Sequence, residues 1–74
     1  MTASLPRVLI VEDDADIADL IRRYLQKAGF DVDVRLSGRD ALRAIADNRP
    51  DLLVLDVMLP EVSGLDICRA VRSD

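Results

Sequence analysis

The chain has 74 residues, of which 50% are apolar and 32% are charged, and its formal net charge is −4. A protein of this size buries only about 60% of the surface that its unfolded chain exposes, so we expect a single domain of marginal stability. The negative charge disfavours binding to nucleic-acid phosphates, the single cysteine excludes a disulfide framework or a thiolate zinc site within the chain, and the absence of histidine excludes a Ser-His or Cys-His catalytic pair.

The apolar runs are too short for a membrane span. Val8 to Val11 is among the longest, and a span needs roughly 20 apolar residues. The N-terminus also lacks the basic and then apolar pattern of a signal peptide. We therefore expect a cytoplasmic protein without a membrane segment.

The first predicted element is a strand at Val8 to Val11, because a short run of branched apolar residues is typical of a parallel strand covered on both faces. A helix from Asp14 to Ala28 follows, and Gly29 stands where a left-handed cap is favoured. Phe30 to Val34 alternates apolar with acidic residues, which predicts a strand at a sheet edge. Helical spacing predicts that the apolar residues of the helix face the core: Ile17, Leu20, Ile21, Tyr24, Leu25 and Ala28.

The second half of the chain repeats this alternation of helix and strand. Ser37 is predicted to cap a helix that ends near Asp47 to Pro50, because the proline disfavours helix at the residue before it. Leu52 to Leu55 predicts a second strand covered on both faces. A third helix is predicted to begin near Ser63 and Gly64. The residues predicted to point inward are Ala41, Leu42 and Ile45 in the earlier helix, and Leu65, Cys68 and Val71, with Ile67 beside them, in the later one.

The order of elements is strand, helix, strand, helix, strand, helix, which implies a parallel sheet with right-handed crossovers and helices on its faces. With the alternating strand at the edge, the spatial order is second, first, third. The third strand then has no outer neighbour within the chain, and Leu52 to Leu55 carries none of the charges or prolines that protect a sheet edge. We therefore expect part of a larger sheet that forms a homo-oligomer or exchanges strands through this edge.

A cluster of acids is predicted at the carboxyl ends of the first and third strands, where ligands of open parallel sheets bind. Asp13 and Asp56 leave neighbouring strands about 4.8 Å apart, so we expect them to face each other with Glu12 alongside. Carboxylates this close repel each other unless a cation joins them, and an all-oxygen site with room for water suits Mg²⁺. Once its charge is offset, Asp56 can attack phosphorus, whereas Asp13 is the better metal ligand.

Each of these acids also has a simpler interpretation. Asp13 and Asp14, taken alone, are more typical of helix caps, and we expect Asp14 to act only as a cap. Asp13 is assigned to the metal because Asp56 ends the neighbouring strand. Asp56 as a plain turn residue is the less favoured interpretation, and Glu12 stays open between support of the site and a solvated acid.

Taken together, "LIVEDD", "PDLLVLDVMLPEVSG" and their separation resemble the receiver domains of two-component response regulators, from Arg7 to Arg72. The resemblance implies a partial flavodoxin-like α/β fold, in which residues 1–74 form a truncated receiver domain without the last two strand-helix units. It implies a phosphoacceptor at Asp56 and a Mg²⁺ site formed by Glu12, Asp13, Asp56 and the backbone carbonyl of Met58. The phosphoryl donor would be a sensor histidine kinase or a phosphotransfer protein.

The resemblance also indicates what kind of protein the segment comes from. Glu12 in place of the commoner aspartate, and the sequence of the first helix, are most similar to receivers joined to winged-helix DNA-binding domains, so the parent would regulate transcription. Family members carry a Ser or Thr, a Lys and an aromatic residue on later strands, at positions beyond Asp74. Lys27, on the first helix, does not take that role. We therefore expect a signalling module rather than an enzyme, with slow or absent phosphorylation of this segment.

Two other classes of function compete with the signalling module. Hydrolases of the haloacid-dehalogenase-like type also use a nucleophilic aspartate, but they usually place a second acid two residues later, where Met58 stands. Topoisomerase-primase-type metal sites fail for the same reason. A structural role stays open, in which a phosphorylation-incompetent or engineered half-domain associates with itself through the third strand; it is compatible with the signalling role.

Overall fold

The computed structural model describes residues 5–55 and 64–72. Over these residues strands and helices alternate as β1 (Arg7–Val11), α1 (Ala15–Lys27), β2 (Asp31–Arg35), α2 (Gly38–Asp47), β3 (Leu52–Leu55) and α3 (Gly64–Arg72). The strands form one parallel sheet in the order β2-β1-β3, which confirms the predicted topology. None of the helices in the described ranges combines the length and hydropathy required of a membrane-spanning segment.

β1 is the central strand, and its side chains form two cores. Val8 to Val11 are all buried, as predicted for a strand covered on both faces. Because successive side chains point to opposite faces, Leu9 and Val11 pack on one side and Val8 and Ile10 on the other. The first side is completed by Ala41, Ile45 and Ile67 from α2 and α3, and the second by Ala18 from α1.

β2 occupies the predicted edge, one residue later than expected. Val32 and Val34 are half-buried and pack in the core under α1, whereas Asp31 and Asp33 are exposed. Arg35 Nη1 lies 2.6 Å from the Asp33 carboxylate. Charged side chains therefore protect this edge of the sheet from pairing with another strand.

α1 begins and ends as predicted, but four of the six apolar residues predicted to face the core are exposed. Ala18 is buried, and Ile21 and Leu25 pack beside it. The inward placement predicted for four residues is wrong, because the apolar arc of α1 is wider than its contact with the sheet. The exposed residues are Ile17 at 46%, Leu20 at 70%, Tyr24 at 76%, and Ala28 just after the helix. Gly29 has a φ of 99°, the left-handed conformation predicted for it.

β3 is covered on one face only within the described residues. Leu53 and Leu55 pack against the core formed with α2 and α3. Leu52 and Val54 point to the other face and are 52% and 36% exposed, so the prediction of burial on both faces is wrong for this strand. The reason is that α1 packs over β1 and β2 and leaves β3 uncovered.

α2 and α3 pack together on the Leu9 and Val11 face of the sheet. Ser37 caps α2 by accepting a hydrogen bond from the Asp40 N–H at 3.2 Å, and Ala41 and Ile45 are buried as predicted, with Leu42 packed beside them. In α3, Ile67 is fully buried and more central than predicted, and Val71 packs next to it. The side chains of Leu65 and Cys68 lie outside the described residues.

Hydrogen bonds tie the start of β1 to the turn before β3. The Arg7 N–H donates to the Asp51 carboxylate at 2.7 Å, and the Asp51 N–H donates to the Arg7 carbonyl at 2.8 Å. The Arg7 guanidinium also donates to the carbonyls of Asn48 and Arg49 at 3.1 and 3.0 Å. These bonds fix the register of β3 against β1, in which Val8 pairs with Leu52 and Val11 with Leu55.

Asp19 forms an ion-pair network with two arginines on α1, as helical spacing favours. Its carboxylate accepts a hydrogen bond from Arg22, and Arg23 Nε lies 2.9 Å from Asp19 Oδ2. The hydrogen bond from Arg22 is the main cause that holds the pKa of Asp19 below its ordinary value of 3.8. Because the pKa is lowered in the folded state, the contribution of Asp19 to stability is present above pH 3.8 and is lost as the pH falls through the folded pKa.

We predict that Ile67→Ala lowers the free energy of unfolding by about 2 to 5 kcal/mol, because it leaves a cavity between α3 and the sheet. Leu36→Ala is the matched control: Leu36 is 47% exposed, so its truncation should change stability by less than about 0.5 kcal/mol. Urea unfolding followed by circular dichroism, at one fixed chain concentration, measures both. Equal effects of the two substitutions would contradict the packing described for Ile67.

We predict that the double variant Arg22→Ala/Arg23→Ala raises the pKa of Asp19 toward 3.8, because it removes the groups that stabilise the carboxylate. A carboxyl-detected NMR titration of the folded protein measures this midpoint. An unchanged Asp19 midpoint in the double variant would show that the network does not control the ionisation.

Candidate functional site

The site predicted from the sequence lies where β1 and β3 end. Val11 and Leu55 are the last residues of these strands and are register partners, so the two strands end side by side. Glu12 and Asp13 directly follow β1 and belong to the described residues. Asp56 and Met58 lie outside the described residues, and their predicted roles as nucleophile and as carbonyl ligand stay predictions.

Glu12 is fixed to the end of the sheet by its backbone and by its side chain. Its N–H donates to the Arg35 carbonyl at 3.1 Å, which continues the contact between β1 and β2 by one residue. Its Oε1 accepts a hydrogen bond from the Asp14 N–H at 3.1 Å, and the residue is half-buried. The hydrogen bond to Oε1 therefore orients the carboxylate of Glu12.

Asp13 is the second acid of the run and, like Asp14, has an exposed side chain. It is exposed and forms no ion pair with another described residue. It lies between Glu12, which is anchored, and Asp14, which is engaged with α1. Its carboxylate is consequently available to an external ligand.

Asp14 caps α1, as predicted. It has extended backbone angles (φ −87°, ψ 111°), and its Oδ1 accepts hydrogen bonds from the N–H groups of Asp16 at 2.9 Å and Ile17 at 3.2 Å. A carboxylate at this position also interacts favourably with the positive end of the helix dipole. The N-terminus of α1 thus offsets part of the repulsion between the consecutive acids.

The donor set at the end of β1 fits Mg²⁺ in its chemistry. Both carboxylates offer oxygen only, one of them is exposed to water, and Mg²⁺ is commonly bound through one or two carboxylates while it keeps several waters. Within residues 5–55 and 64–72 no three acidic or cysteine side chains converge on one point, and the third predicted carboxylate ligand, Asp56, lies outside those ranges. The described residues provide the Glu12 and Asp13 part of the predicted site.

Sequence reasoning missed the bond between Glu12 and Arg35. The periodicity of apolar side chains does not predict a backbone hydrogen bond that lies one residue beyond the end of a strand. The signal available was the length of β2, since a strand that continues to Arg35 brings its last carbonyl level with the residue after Val11. Extending the predicted strand by that residue would have anticipated the anchor of Glu12.

Residues 8–74 of the chain match the model of the response regulator receiver domain family. The DNA-binding response regulator MtrA of Mycolicibacterium paratuberculosis is 46% identical over 68 residues, which are 92% of this chain and 30% of MtrA. The chain therefore spans less than a third of the length of this curated relative.

Solved structures agree with the fold. A CheY-like response regulator receiver domain from Methylobacillus flagellatus is 37% identical with a TM-score of 0.87, and the match covers 96% of this chain and 60% of that chain. The BeF3-activated N-terminal receiver domain of Klebsiella pneumoniae RstA is 42% identical with a TM-score of 0.79, and the match covers 89% and 56% of the two chains.

We predict that Asp14→Ala lowers the free energy of unfolding by about 1 kcal/mol, because two N–H groups of the first turn of α1 lose their acceptor. Asp14→Ser should retain most of the stability, since serine also caps helices. Asp13→Ala is the matched control and should be neutral or slightly stabilising, because it removes a like charge and no cap. Urea unfolding measures the three variants, and a loss for Asp13→Ala as large as that for Asp14→Ala would contradict these roles.

Proposed function

The chain belongs to the family of response regulator receiver domains, and on that premise we propose that Asp56 accepts a phosphoryl group from the phosphohistidine of a sensor histidine kinase or a phosphotransfer protein. The observation that carries the proposal is the pairing of Val11 with Leu55. The acids Glu12 and Asp13 and the aspartate Asp56 thereby come, in sequence, directly after two strands that are parallel neighbours.

The proposed reaction is a phosphoryl transfer between two side chains. A carboxylate oxygen of Asp56 attacks phosphorus, an O–P bond forms, and the P–N bond to the donor imidazole breaks, so that the imidazole leaves and takes up a proton from solvent. The chain is itself the acceptor, and we therefore propose a signalling protein rather than an enzyme that turns over an external substrate.

Mg²⁺ is the proposed cofactor, held by Glu12, Asp13, Asp56 and the backbone carbonyl of Met58. When bound, it neutralises charge on the phosphoryl oxygens. The hydrogen bond from the Asp14 N–H orients Glu12 before any ligand arrives, and the open carboxylate of Asp13 is free to enter the coordination shell. The cap formed by Asp14 supports the site indirectly, because it fixes the backbone that carries both ligands.

We also propose the setting in which this module works. Residues 1–74 would be the N-terminal part of a receiver domain in a cytoplasmic transcription regulator, which is supported by the DNA-binding relative and by the share of that relative that the chain spans. With a net charge of −4, the segment itself would not bind nucleic acid.

A second candidate role is self-association through β3. It is favoured by the contrast between the two edges of the sheet: β2 carries Asp31 and Asp33 at its edge, whereas Leu52 to Leu55 carries no charge. Unprotected strands of this kind pair readily with another chain.

We predict that a small phosphodonor with Mg²⁺ phosphorylates the chain slowly and at one site, as seen by intact-mass spectrometry. Asp56→Asn should abolish the mass increase, because the amide is not a nucleophile of comparable strength. Asp47→Asn, at an exposed aspartate on α2, is the matched control and should be labelled like the parent. Equal labelling of the Asp56→Asn variant would overturn the assignment of the phosphoacceptor.

The metal ligands have their own test. Glu12→Gln and Asp13→Asn should each raise the Mg²⁺ concentration needed for half-maximal labelling by about tenfold or more, because each removes a charged oxygen ligand. Asp31→Asn, an exposed acid at the opposite end of the sheet, should leave that concentration unchanged. A requirement for Mg²⁺ that is the same in all three variants would contradict the proposed site.

A further inference from the structure

The last three residues of β2 are joined to one another by hydrogen bonds of their own side chains. Asp33 Oδ1 accepts a hydrogen bond from the Val34 N–H at 2.9 Å and another from Arg35 Nη1 at 2.6 Å. The same Nη1 group also donates to the Val34 carbonyl at 2.9 Å. We name this closed arrangement of Asp33, Val34 and Arg35 the β2 clasp.

The β2 clasp lies on the outer edge of the sheet. The Asp31 N–H donates to the Pro6 carbonyl and the Arg35 carbonyl accepts from the Glu12 N–H, so the backbone groups of these alternate β2 residues point toward β1. Because the direction alternates along a strand, the N–H and the carbonyl of Val34 point away from β1. No described strand pairs with that side of β2, and the flavodoxin-like strand order 2-1-3-4-5 also leaves the second strand at the edge.

The clasp replaces the bonds that a neighbouring strand would make. The end of an edge strand opens locally at low cost, because its outward backbone groups exchange partners with water. In the clasp, both outward groups of Val34 have partners within the chain. Asp33 and Arg35 are two residues apart and share a face of the sheet, so their ion pair favours an extended backbone at Val34.

The clasp ends at the residue that anchors the candidate site. The Arg35 carbonyl accepts the hydrogen bond from the Glu12 N–H at 3.1 Å, one residue beyond the end of β1. The side chain of Glu12 is in turn oriented by the Asp14 N–H, which donates to Oε1 at 3.1 Å. Two hydrogen bonds, with Arg35 between them, therefore connect the Asp33 carboxylate to the backbone of Glu12.

We propose that Asp33 and Arg35 are positioning residues for the Mg²⁺ site. They hold the Arg35 carbonyl where it accepts the Glu12 N–H, and they thereby hold the backbone that carries the proposed ligands Glu12 and Asp13. Both side chains act through the backbone of Arg35, so they need no contact with the metal. The inference rests on the proposed function, because the ligands are those assigned there.

The strength of the clasp limits the size of the effect. Both side chains of the ion pair are partly exposed, and such pairs shift an equilibrium by a factor of about two to five. Loss of the clasp should therefore weaken Mg²⁺ binding by about two- to fivefold. This loss is smaller than the effect of about tenfold or more expected when a ligand itself is replaced.

The first experiment measures amide hydrogen exchange by NMR in the absence of Mg²⁺. In Asp33→Ala the Glu12 N–H should exchange about two- to fivefold faster than in the parent, because the Arg35 carbonyl is less firmly held. Asp31→Ala is the matched control, since it removes the same group from the same face of β2 and leaves the clasp intact. An unchanged Glu12 rate in Asp33→Ala would overturn the proposal.

The second experiment uses a conservative substitution of Arg35. A single nitrogen, Nη1, makes both side-chain bonds of the clasp, and a lysine ammonium has enough donors for the two acceptors. Arg35→Lys should therefore retain most of the protection of the Glu12 N–H. Arg35→Met keeps a long side chain without a donor and should lose it. Equal exchange of the Glu12 N–H in these two variants would contradict the role of the clasp.

The third experiment titrates Mg²⁺ and follows the amide chemical shifts of Glu12 and Asp13 in the folded protein. Asp33→Ala and Arg35→Met should each raise the dissociation constant about two- to fivefold. Asp31→Ala and Arg35→Lys should keep it near the parent value. A general loss of stability does not change this constant, because the shifts report on folded molecules only.

The outcomes separate this inference from the proposed function. A parent chain that does not bind Mg²⁺ would overturn the metal site and the positioning role together. Mg²⁺ binding that is equally tight in Asp33→Ala and in the parent would overturn the positioning role alone. Absence of labelling at Asp56, with Mg²⁺ binding weakened in Asp33→Ala, would overturn the phosphoacceptor and support the positioning role.

Discussion

The burial of β1 on both faces and its pairing on both edges is the constraint on which the other features depend. Its four apolar residues supply both cores, so that α1 and the pair α2 and α3 are each held to the sheet through this strand. Its register with β2 and β3 is fixed at one end by Arg7 and Asp51 and extends at the other end to Glu12. The acids after Val11 therefore follow the one described strand that is paired on both edges.

The two ends of the sheet divide structural and chemical tasks. At the amino end, the backbone and the guanidinium of Arg7 donate hydrogen bonds to the turn before β3, which is a structural role. At the carboxyl end, Asp14 caps α1 and orients Glu12, and Asp13 stays open. One run of three acids thus contains one structural residue, one oriented carboxylate and one available carboxylate.

Much of the fold could be predicted from the sequence, because short apolar runs, helix caps and a protected edge are local signals. Val8 to Val11, Asp14, Gly29 and Ser37 were all interpreted correctly on that basis. The exposure of Leu20, Tyr24 and Leu52 could not be predicted. An apolar residue type indicates that burial is favourable, but it does not indicate which element covers the side chain. For the candidate site, the ends of β1 and β3 followed from topology, whereas the anchoring of Glu12 by Arg35 depended on a backbone contact that side-chain patterns do not encode.

The strand order β2-β1-β3 also has a consequence for how such a chain grows during synthesis. Of the three described strands, the first in chain order becomes the centre of the sheet, and the second closes one side with charged residues. An additional strand would therefore pair more readily beside Leu52 to Leu55 than beside the charged residues of β2. The fold has a built-in polarity of assembly, with a finished border on one side and a template on the other.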